Sequence, residues 1–373
     1  MKHQIILTGK DITSVYHGIK EFGPDVIHLL YTEETEELIE QLFPMLPVQI
    51  EKKCYLVKPY DAKSIIETCR SIHQAYNGEF SYNLSEGTKL MAFAAFQVAQ
   101  EKEAEAFYLT QQGEIIELAG FKKNQLRTFL SNEEIIQLSG NKIIGYHEAA
   151  SLLDENIRMA HQINQFIELH KKEHTRLQRY YSLYCKRKIE LLPAAYQFPD
   201  GLSFKQRNGR LLIAQNDQLL MKLGFRDACF LYFEGRWWET LVAEQVNLWS
   251  QQQADPPQAW QSVRFQLTEH GEKGVKNEVD VLVNSQQELI FIECKSGQVT
   301  QNDIYKIDAV RETYGGDISH AVLASYYPVD HDILEKCADL QINVFAPSYF
   351  AERRNYVEKL PEWLDELNKQ ILL

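Results

Sequence analysis

The stretch ELIFIECKSGQ (288–298) carries a carboxylate and an ammonium group two residues apart at the end of an apolar run. On an extended strand, Glu293 and Lys295 point to the same face. Such a pair serves either as an ion pair at a strand end or as part of a metal-dependent site that cleaves phosphodiester bonds. The two interpretations differ in what the neighbouring elements bring to the pair.

Residues 277–297, NEVDVLVNSQQELIFIECKSG, predict a β-hairpin that brings a second carboxylate to this pair. If the loop has an even length and is centred on Gln286 and Gln287, Asp280 lies directly opposite Glu293, with Cβ atoms about 5 Å apart. A loop of odd length would shift the register by one residue and separate the two side chains.

Two carboxylates at this separation repel each other, so that one would stay protonated unless a cation lay between them. Mg²⁺ or Mn²⁺ would remove this conflict, because hard divalent cations prefer oxygen ligands. The expected ligands are Asp280, Glu293 and the main-chain carbonyl of Cys294. Lys295 could then orient or deprotonate the attacking water and offset the developing negative charge.

An aspartate followed after twelve residues by Glu-x-Lys on paired strands resembles the PD-(D/E)xK nuclease core. The resemblance implies a mixed β-sheet preceded by a helix that carries a glutamate, and Glu239 in FEGRWWETLVAEQV (233–246) fits that place. It also implies that Gln301 and Tyr305, one helical turn apart, face the site from the following helix. The proline of the family name is absent here. Glu239, Gln301 and Tyr305 are equally compatible with plain helix-surface residues.

Residues 1–120 predict a Rossmann-like domain, because short apolar runs alternate with amphipathic stretches of helical period. The last two runs, joined by QQG (111–113), predict an antiparallel edge hairpin. The predicted strands are 5–8, 26–32, 54–59, 80–85, 106–110 and 114–120.

The rest of the chain predicts a helical connector and a mixed sheet flanked by helices. The expected division is 1–123 for the Rossmann-like domain, 124–194 for the connector and 195–373 for the second domain. Within the connector, residues 170–188 hold seven Lys or Arg and one acid, with tyrosines between them. This segment is either a solvated helix face or a nucleic-acid contact. His170 and His174, four residues apart, have the spacing of a metal-binding pair as well as that of a solvated helix face.

The stretch NLSEGTKLM (83–91) follows a predicted strand and opens a helix. Its small residues leave backbone N–H groups free at a helix N-terminus, where anions bind favourably, and Lys89 adds a cation. The motif is not a P-loop, and by itself it could be an ordinary capped helix start.

The position of this motif after the fourth strand, with a polar loop after the first, resembles the CARF domain that senses cyclic oligoadenylates. In that family, the two loops hold the nucleotide across a dimer axis. The resemblance implies an effector site formed by two groups of residues, Thr8, Gly9, Lys10, Asp11 and Ile12 in one loop and Asn83, Ser85, Gly87, Thr88 and Lys89 in the other.

A CARF domain followed by a PD-(D/E)xK domain resembles the Card/Can family of type III CRISPR ancillary nucleases over nearly the whole chain. The resemblance implies a cytoplasmic prokaryotic homodimer, activated by cyclic tetra-adenylate, that cleaves or nicks DNA or single-stranded RNA. A four-fold ring suits a two-fold pocket, because each subunit presents the same residues to half of the ligand. Slow cleavage of the activator by the CARF domain stays open.

Composition limits the alternatives. The formal charge of −13 argues against a protein that coats nucleic acid by bulk electrostatics, and six scattered cysteines predict reduced thiols. No apolar run is long enough for a membrane span, and the N-terminus lacks the pattern of a signal peptide. Two rival functions remain. One is a restriction- or repair-type endonuclease without an activator, and the other is a ligand-sensing regulator that binds nucleic acid without cleaving it.

Overall fold

The computed structural model describes residues 1–110, 113–224, 226–267, 277–285, 288–316, 319–350 and 355–371. The chain forms two compact units, the first mainly Met1–Lys142 and the second mainly Ile143–Gln266 and Glu272–Leu373. The predicted loop residues Gln286 and Gln287 lie outside the described residues.

The first unit contains seven strands and five helices among its described residues. The strands are β1 (Lys2–Leu7), β2 (Val26–Tyr31), β3 (Glu51–Leu56), β4 (Glu79–Asn83), β5 (Glu105–Leu109), β6 (Glu114–Glu117) and β7 (Lys122–Gln125). The helices are α1 (Thr13–Phe22), α2 (Glu36–Leu42), α3 (Ala62–Ala75), α4 (Lys89–Glu101) and α5 (Asn132–Leu138).

These strands form one sheet in the order β3-β2-β1-β4-β5-β6-β7. The first five are parallel, as expected from the alternation of strands and helices. β6 runs antiparallel to β5, which confirms the predicted hairpin, but β7 and not β6 is the edge strand. The predicted loop residues Gln111 and Gln112 lie outside the described residues. Because β1 and β4 are neighbours, their carboxyl ends lie side by side, and the two loops of the predicted effector site follow these ends.

The second unit contains the remaining strands and helices. Its strands are β8 (Asn141–Glu148), β9 (Ala195–Gln197), β10 (Leu202–Arg207), β11 (Arg210–Gln215), β12 (Gln218–Leu223), β13 (Gln258–Leu267), β14 (Asn277–Ser285), β15 (Glu288–Lys295), β16 (Ser319–Ser325) and β17 (Ile342–Phe345). Its helices are α6 (Asp154–Leu169), α7 (Lys171–Tyr184), α8 (Ala228–Phe233), α9 (Arg236–Gln252), α10 (Gln301–Gly315), α11 (His331–Asp339) and α12 (Leu360–Ile371).

Two sheets organise the second unit. A mixed sheet has the order β17-β16-β15-β14-β13-β8, with β14 and β15 antiparallel and β15 and β16 parallel. An antiparallel sheet of four strands has the order β12-β11-β10-β9. The mixed sheet flanked by helices agrees with the predicted fold class.

Helix α9 packs against the mixed sheet, and its aromatic and aliphatic residues are buried on several sides of the helix. Trp237, Trp238 and Trp249 are almost fully buried, and the Trp238 Nε1–H donates to the Ala324 carbonyl on β16 at 2.8 Å. The two adjacent tryptophans therefore pack the core, and α9 is anchored with Glu239 in its first turn.

The segment 124–194, predicted as a helical connector, also contains strand residues at two places. β7 extends the first sheet, and β8 joins the edge of the mixed sheet beside β13. Both strands lie at the edge of a sheet, and their sequences lack a clear apolar alternation. Their extended conformation therefore depends on backbone pairing with the neighbouring strand. Helices α6 and α7 pack into the core of the second unit.

One side of the basic helix α7 is buried rather than solvated. His174 is 5% exposed and its Nδ1 lies 3.0 Å from the Tyr232 hydroxyl, while Tyr180 and Tyr181 are buried in the same core. Tyr184 stays exposed. The interpretation of His170 and His174 as a solvated or metal-binding pair therefore fails for His174, whose ring is used in packing.

The described residues contain no helix with the length and apolar composition needed to cross a membrane. All six cysteines lie within the described residues and are free thiols, with only Cys54 exposed.

Candidate active site and effector site

The hairpin of β14 and β15 has the predicted register. Val281 lies opposite Ile292 and Ser285 opposite Glu288, so the next pair in the same register is Asp280 and Glu293. Asp280 also accepts a hydrogen bond at Oδ2 from the Cys294 backbone N–H at 2.6 Å. The hairpin therefore holds the Asp280 carboxylate against the strand that carries Glu293 and Lys295.

Strand β13 has an unusual backbone at the level of Asp280. Gln261 pairs with Val281 and Val263 pairs with Val279, which places Ser262 across from Asp280. Ser262 has a φ of 50°, a left-handed conformation that costs a non-glycine residue energy. Such departures from regular strand geometry recur beside active sites.

Lys295 lies between two carboxylates. Its Nζ is 3.0 Å from Glu293 Oε1 and 3.1 Å from Asp303 Oδ1, while Lys306 Nζ lies 3.4 Å from the same Glu293 oxygen. Burial alone would lower the pKa of Lys295, but Glu293 and Asp303 raise it above its ordinary value. Lys295 is thus an ammonium group at neutral pH, suited to charge stabilisation and to orienting a water rather than to removing its proton.

Two further carboxyl groups of this cluster, those of Glu239 and Asp280, hold protons more tightly than usual. Burial, with repulsion from Glu278 and Glu293, raises the pKa of Glu239 to about 7 even though Arg236 opposes the shift. Burial, with repulsion from Glu239 and Glu293, raises the pKa of Asp280 well above its ordinary value. Glu239, Asp280 and Glu293 thus form a set of enclosed oxygen donors whose negative charges compete.

This donor set is chemically suited to a hard divalent cation, which would relieve the repulsion that raises these pKa values. Within the described ranges, no three His, Cys, Asp or Glu side chains have the mutual geometry of a formed metal site. The residues present fit Mg²⁺ or Mn²⁺ by their oxygen chemistry and their charge.

Helix α10 reaches the cluster through residues other than the predicted ones. Gln301 is exposed, and Tyr305 is 50% exposed with its ring centre 5.3 Å from the Lys336 Nζ. Asp303 and Lys306 make the contacts to Lys295 and Glu293 instead. The helix buries Ile304 and Ile307 and so turns 303 and 306 toward β15, while a role of Gln301 and Tyr305 at the site stays a prediction.

The position of Asp303 beside the site could have been predicted from a helix-capping pattern in the sequence. Thr300 and Asp303 form a capping box, with the Thr300 hydroxyl and backbone N–H both donating to Asp303 Oδ2 at 2.6 and 2.9 Å. A Thr-x-x-Asp sequence just after Glu-x-Lys marks a helix that begins beside the site.

The two loops of the predicted effector site touch each other in the first unit. A Cβ at Gly9 would lie 2.8 Å from the Gly87 backbone nitrogen and would also collide with the Glu86 carboxylate. Ser14 donates to Glu86 Oε1 at 3.3 Å. Asn83 Nδ2 donates to the Ser14 carbonyl at 3.2 Å. Glycine is therefore required at position 9 for the close approach of the loops.

The ten predicted effector residues differ in their exposure to solvent. Lys10, Asp11, Gly87 and Lys89 are exposed, and Gly9, Ser85 and Thr88 are partly buried. Thr8, Ile12 and Asn83 are buried, and their contribution to a ligand wall stays a prediction.

The buried and partly buried members fix the loops. The Thr8 hydroxyl lies 2.9 Å from that of Thr35, and Asn83 Oδ1 accepts from Ser85 Oγ at 2.6 Å. The Thr88 hydroxyl caps α4 by accepting from the Met91 N–H at 3.2 Å.

Glu86 is a further residue of this site that was not predicted from the sequence. Burial and the neighbouring Asp11 raise its pKa to about 7. Its side chain lies between the two loops, so its charge state affects any anion bound there. Glu86 lies inside the Ser-x-Gly-Thr-Lys motif, and this position could have pointed to it from the sequence.

Comparisons with known families match both halves of the chain. Residues 11–138 match the family described as Card1 CARF domain, and residues 228–364 match the one described as Card1-like, endonuclease domain. Together these matches cover more than half of the chain. No curated protein sequence matches it.

Several solved structures share the fold at low sequence identity. Can2 from Sulfobacillus thermosulfidooxidans, in complex with cyclic tetra-adenylate, has a TM-score of 0.71 and 18% identity, covering 99% of each chain. Protein VC1899 from Vibrio cholerae has a TM-score of 0.74 and 17% identity, covering 99% of this chain and 98% of its own. A type III CRISPR defence DNA nuclease activated by cyclic oligoadenylate has a TM-score of 0.58 and 14% identity, covering 97% of this chain and 51% of its own.

The two matched domains and their order along the chain identify the family. The chain belongs to the Card/Can family, with a Card1 CARF domain followed by a Card1-like endonuclease domain.

Proposed function

We propose that this protein is a nuclease of type III CRISPR defence that is switched on by cyclic tetra-adenylate and requires Mn²⁺ or Mg²⁺. The observation that carries the proposal is the presence, in one chain, of a CARF domain and of an endonuclease domain with Asp280, Glu293 and Lys295 at the end of one hairpin. A homodimer, with the activator on its two-fold axis, is part of the proposal. So is a cytoplasmic location, which the free thiols support.

The proposed catalytic residues divide by charge. Asp280 and Glu293, with the Cys294 carbonyl and Glu239 nearby, would hold the divalent ion. When bound, that ion would lower the pKa of a coordinated water and offset charge on the phosphate. Lys295 remains an ammonium and stabilises the negative charge that develops on the phosphate oxygens. Asp303 keeps Lys295 in place from α10.

The proposed effector site uses the exposed part of the two loops. Lys10 and Lys89 supply positive charge, and the backbone of Gly87 and Thr88 lies at the start of α4, which is 13 residues long. The phosphates of a cyclic oligoadenylate would bind these groups. The activity rests on such binding favouring the active state by a few kcal/mol.

The first test of this function is cleavage of labelled single-stranded DNA and RNA with Mn²⁺ or Mg²⁺, each with and without cyclic tetra-adenylate. We expect cleavage only with the activator, and a loss of at least about 100-fold in Glu293→Gln. Glu335→Gln removes an exposed carboxylate of α11 and serves as the matched control with unchanged activity.

Other outcomes separate the rival functions. Cleavage that ignores the activator would support a restriction- or repair-type endonuclease. Strand binding without cleavage, unchanged in Glu293→Gln, would support a non-catalytic regulator. Mass spectrometry of the recovered activator would show whether the first unit also cleaves it.

The effector site has a separate test. Lys10→Gln and Lys89→Gln should each weaken binding of cyclic tetra-adenylate about tenfold in calorimetry, because each loses one charge-assisted contact to phosphate. Lys63→Gln, an exposed lysine on α3, is the control. Equal affinity in all three variants would place the activator elsewhere.

A further inference from the structure

The outer face of the four-stranded sheet in the second unit is strongly basic. On β10 and β11, Arg207 lies directly opposite Arg210. One row further along, Lys205 and Lys222 flank Leu212 from the two neighbouring strands. All four cations are exposed, and within the described part of the chain none of them forms an ion pair.

This arrangement is unfavourable for the isolated protein. Opposed residues in an antiparallel pair have Cβ atoms about 5 Å apart, so two facing arginines repel each other. Lys205 and Lys222 are two strand spacings apart, about 10 Å. The other face of the same sheet is an ordinary core face, with Phe204, Ile213 and Leu223 buried. Packing therefore does not require these four charges, and a bound polyanion would offset their repulsion.

A cleft lies at the arginine end of this face. It has a volume of about 750 Å³ and is lined by Arg210, Arg226, Asp227 and Phe230, with the backbone of Gly209 and Gly224. The Phe230 ring is 40% exposed, which leaves an aromatic surface beside two guanidinium groups. Guanidinium groups bind phosphate in a bidentate manner, and aromatic rings stack on bases of any sequence.

Helix α8 connects this cleft to the candidate active site. Asp227 and Phe230 of the cleft lie at its start, and the helix ends at Phe233. Just beyond, a side chain on Gly235 would collide with Ser296, the residue after Lys295. A helix of six residues is about 9 Å long, which corresponds to about three phosphates along one strand of a duplex.

We propose that this basic surface, Lys205, Arg207, Arg210 and Lys222 with the cleft at Arg226 and Phe230, binds the phosphate backbone of the nucleic-acid strand that the second unit cleaves. The inference rests on the proposed nuclease function, because it assigns a contact to that substrate. It explains how a chain of net charge −13 holds a polyanion. The basic surface binds the strand equally well before and during cleavage, and it takes no part in the chemistry at Glu293.

The test compares three double variants that each remove two exposed cations. They are Lys205→Gln/Lys222→Gln on the sheet, Arg210→Gln/Arg226→Gln at the cleft, and Lys63→Gln/Lys122→Gln in the first unit as the control. Binding of a fluorescein-labelled 20-nucleotide single-stranded DNA, and of the matching RNA, is followed by anisotropy between about 50 and 200 mM salt, a range in which phosphate contacts dominate affinity. Cleavage kinetics are measured on the same proteins with the activator.

We expect the sheet and cleft variants to bind the strand about tenfold more weakly and to lose about 1.4 from the slope of log K against log salt. Their KM should rise while kcat stays unchanged, as for uniform binding. The control should match the wild type.

Wild-type-like affinity, salt slope and KM in the sheet and cleft variants would overturn the inference, whether or not the protein cleaves. A change in self-association instead of strand binding would overturn it as well. If neither the wild type nor any variant cleaves but strand binding still weakens as expected, the nuclease function fails while the binding surface stands.

Discussion

Asp280 is the residue whose environment departs most from that of an ordinary surface acid. Its carboxylate is enclosed, lies near those of Glu239 and Glu293, and is held by one backbone N–H of Cys294. A structural ion pair would not need a third acid whose pKa is raised. The local electrostatics therefore favour a cation-binding role.

Asp280→Asn should stabilise the metal-free protein while removing activity. The folded-state pKa of Asp280 is raised, so the stability that this group contributes is present at acid pH and is lost as the pH rises through that pKa. At pH 8 with a chelator, the neutral asparagine should raise the melting temperature by about 2–4 °C, corresponding to about 1 kcal/mol. Scanning calorimetry of both proteins measures this.

The same variant reports on the metal. Mn²⁺ should raise the melting temperature of the wild type, because it binds only the folded site, and should not raise that of Asp280→Asn. Asp332 is an exposed acid on α11, and Asp332→Asn should have the melting temperature of the wild type both with the chelator and with Mn²⁺. A lower melting temperature of Asp280→Asn with the chelator at pH 8 would contradict the assignment.

At the scale of elements, the first turn of α10 sets the position of Lys295. Asp303 both caps the helix and bonds the lysine, so it links the helix start to β15. Asp303→Asn keeps a capping oxygen but removes the charge that holds Lys295. We expect kcat to fall about tenfold with KM little changed, the pattern of an interaction made in the transition state.

Two variants separate positioning from folding for Asp303. Asp303→Ala should lose about 1 kcal/mol of stability through the lost cap, whereas Asp303→Glu should recover part of kcat by restoring the charge. Full activity in Asp303→Asn would show that Glu293 alone suffices to hold Lys295.

Helix α7 is held to the second unit by a titratable contact. Burial lowers the pKa of His174 to about 4, and its Nδ1 lies 3.0 Å from the Tyr232 hydroxyl. Because the folded-state pKa is depressed, stability is lost as the pH falls from about 6.5 toward 4. Urea unfolding should therefore show a loss of about 2 kcal/mol between pH 7.5 and pH 5 from this group.

His174→Asn should remove that difference between the two pH values, at the cost of lower stability at pH 7.5. His331→Asn, an exposed histidine on α11, should leave the pH dependence intact. An unchanged pH dependence in His174→Asn would mean that other groups control the acid response of the second unit.

At the scale of the whole molecule, activation requires a coupling free energy between effector and substrate. Such coupling is reciprocal, so the strand must raise the affinity for cyclic tetra-adenylate by the factor by which the activator raises affinity for the strand. In Glu293→Gln, which binds without cleaving, we expect both factors to be equal and about 5- to 150-fold. Calorimetry with and without saturating strand measures them, and factors of one in both directions would exclude activation through substrate affinity.

Local sequence patterns were enough to predict the fold class and the centre of the candidate active site. Both predictions rest on patterns within short stretches of the sequence. Strands alternating with helices predict the parallel sheet, and an even hairpin loop places Asp280 opposite Glu293, because the side-chain period of a strand is two. The Gly87-Thr88-Lys89 motif located the helix start of α4 for a similar local reason.

Which further side chains reach these centres depends on how the elements pack together in the folded chain. Asp303 and Lys306 contact β15, because burial of Ile304 and Ile307 sets the rotation of α10. The burial of Thr8 and Asn83, the role of Glu86 and the basic face of the β9–β12 sheet likewise depend on contacts between residues distant in the chain. Periodicity reports which residues of one element share a face, but packing between elements decides where that face points.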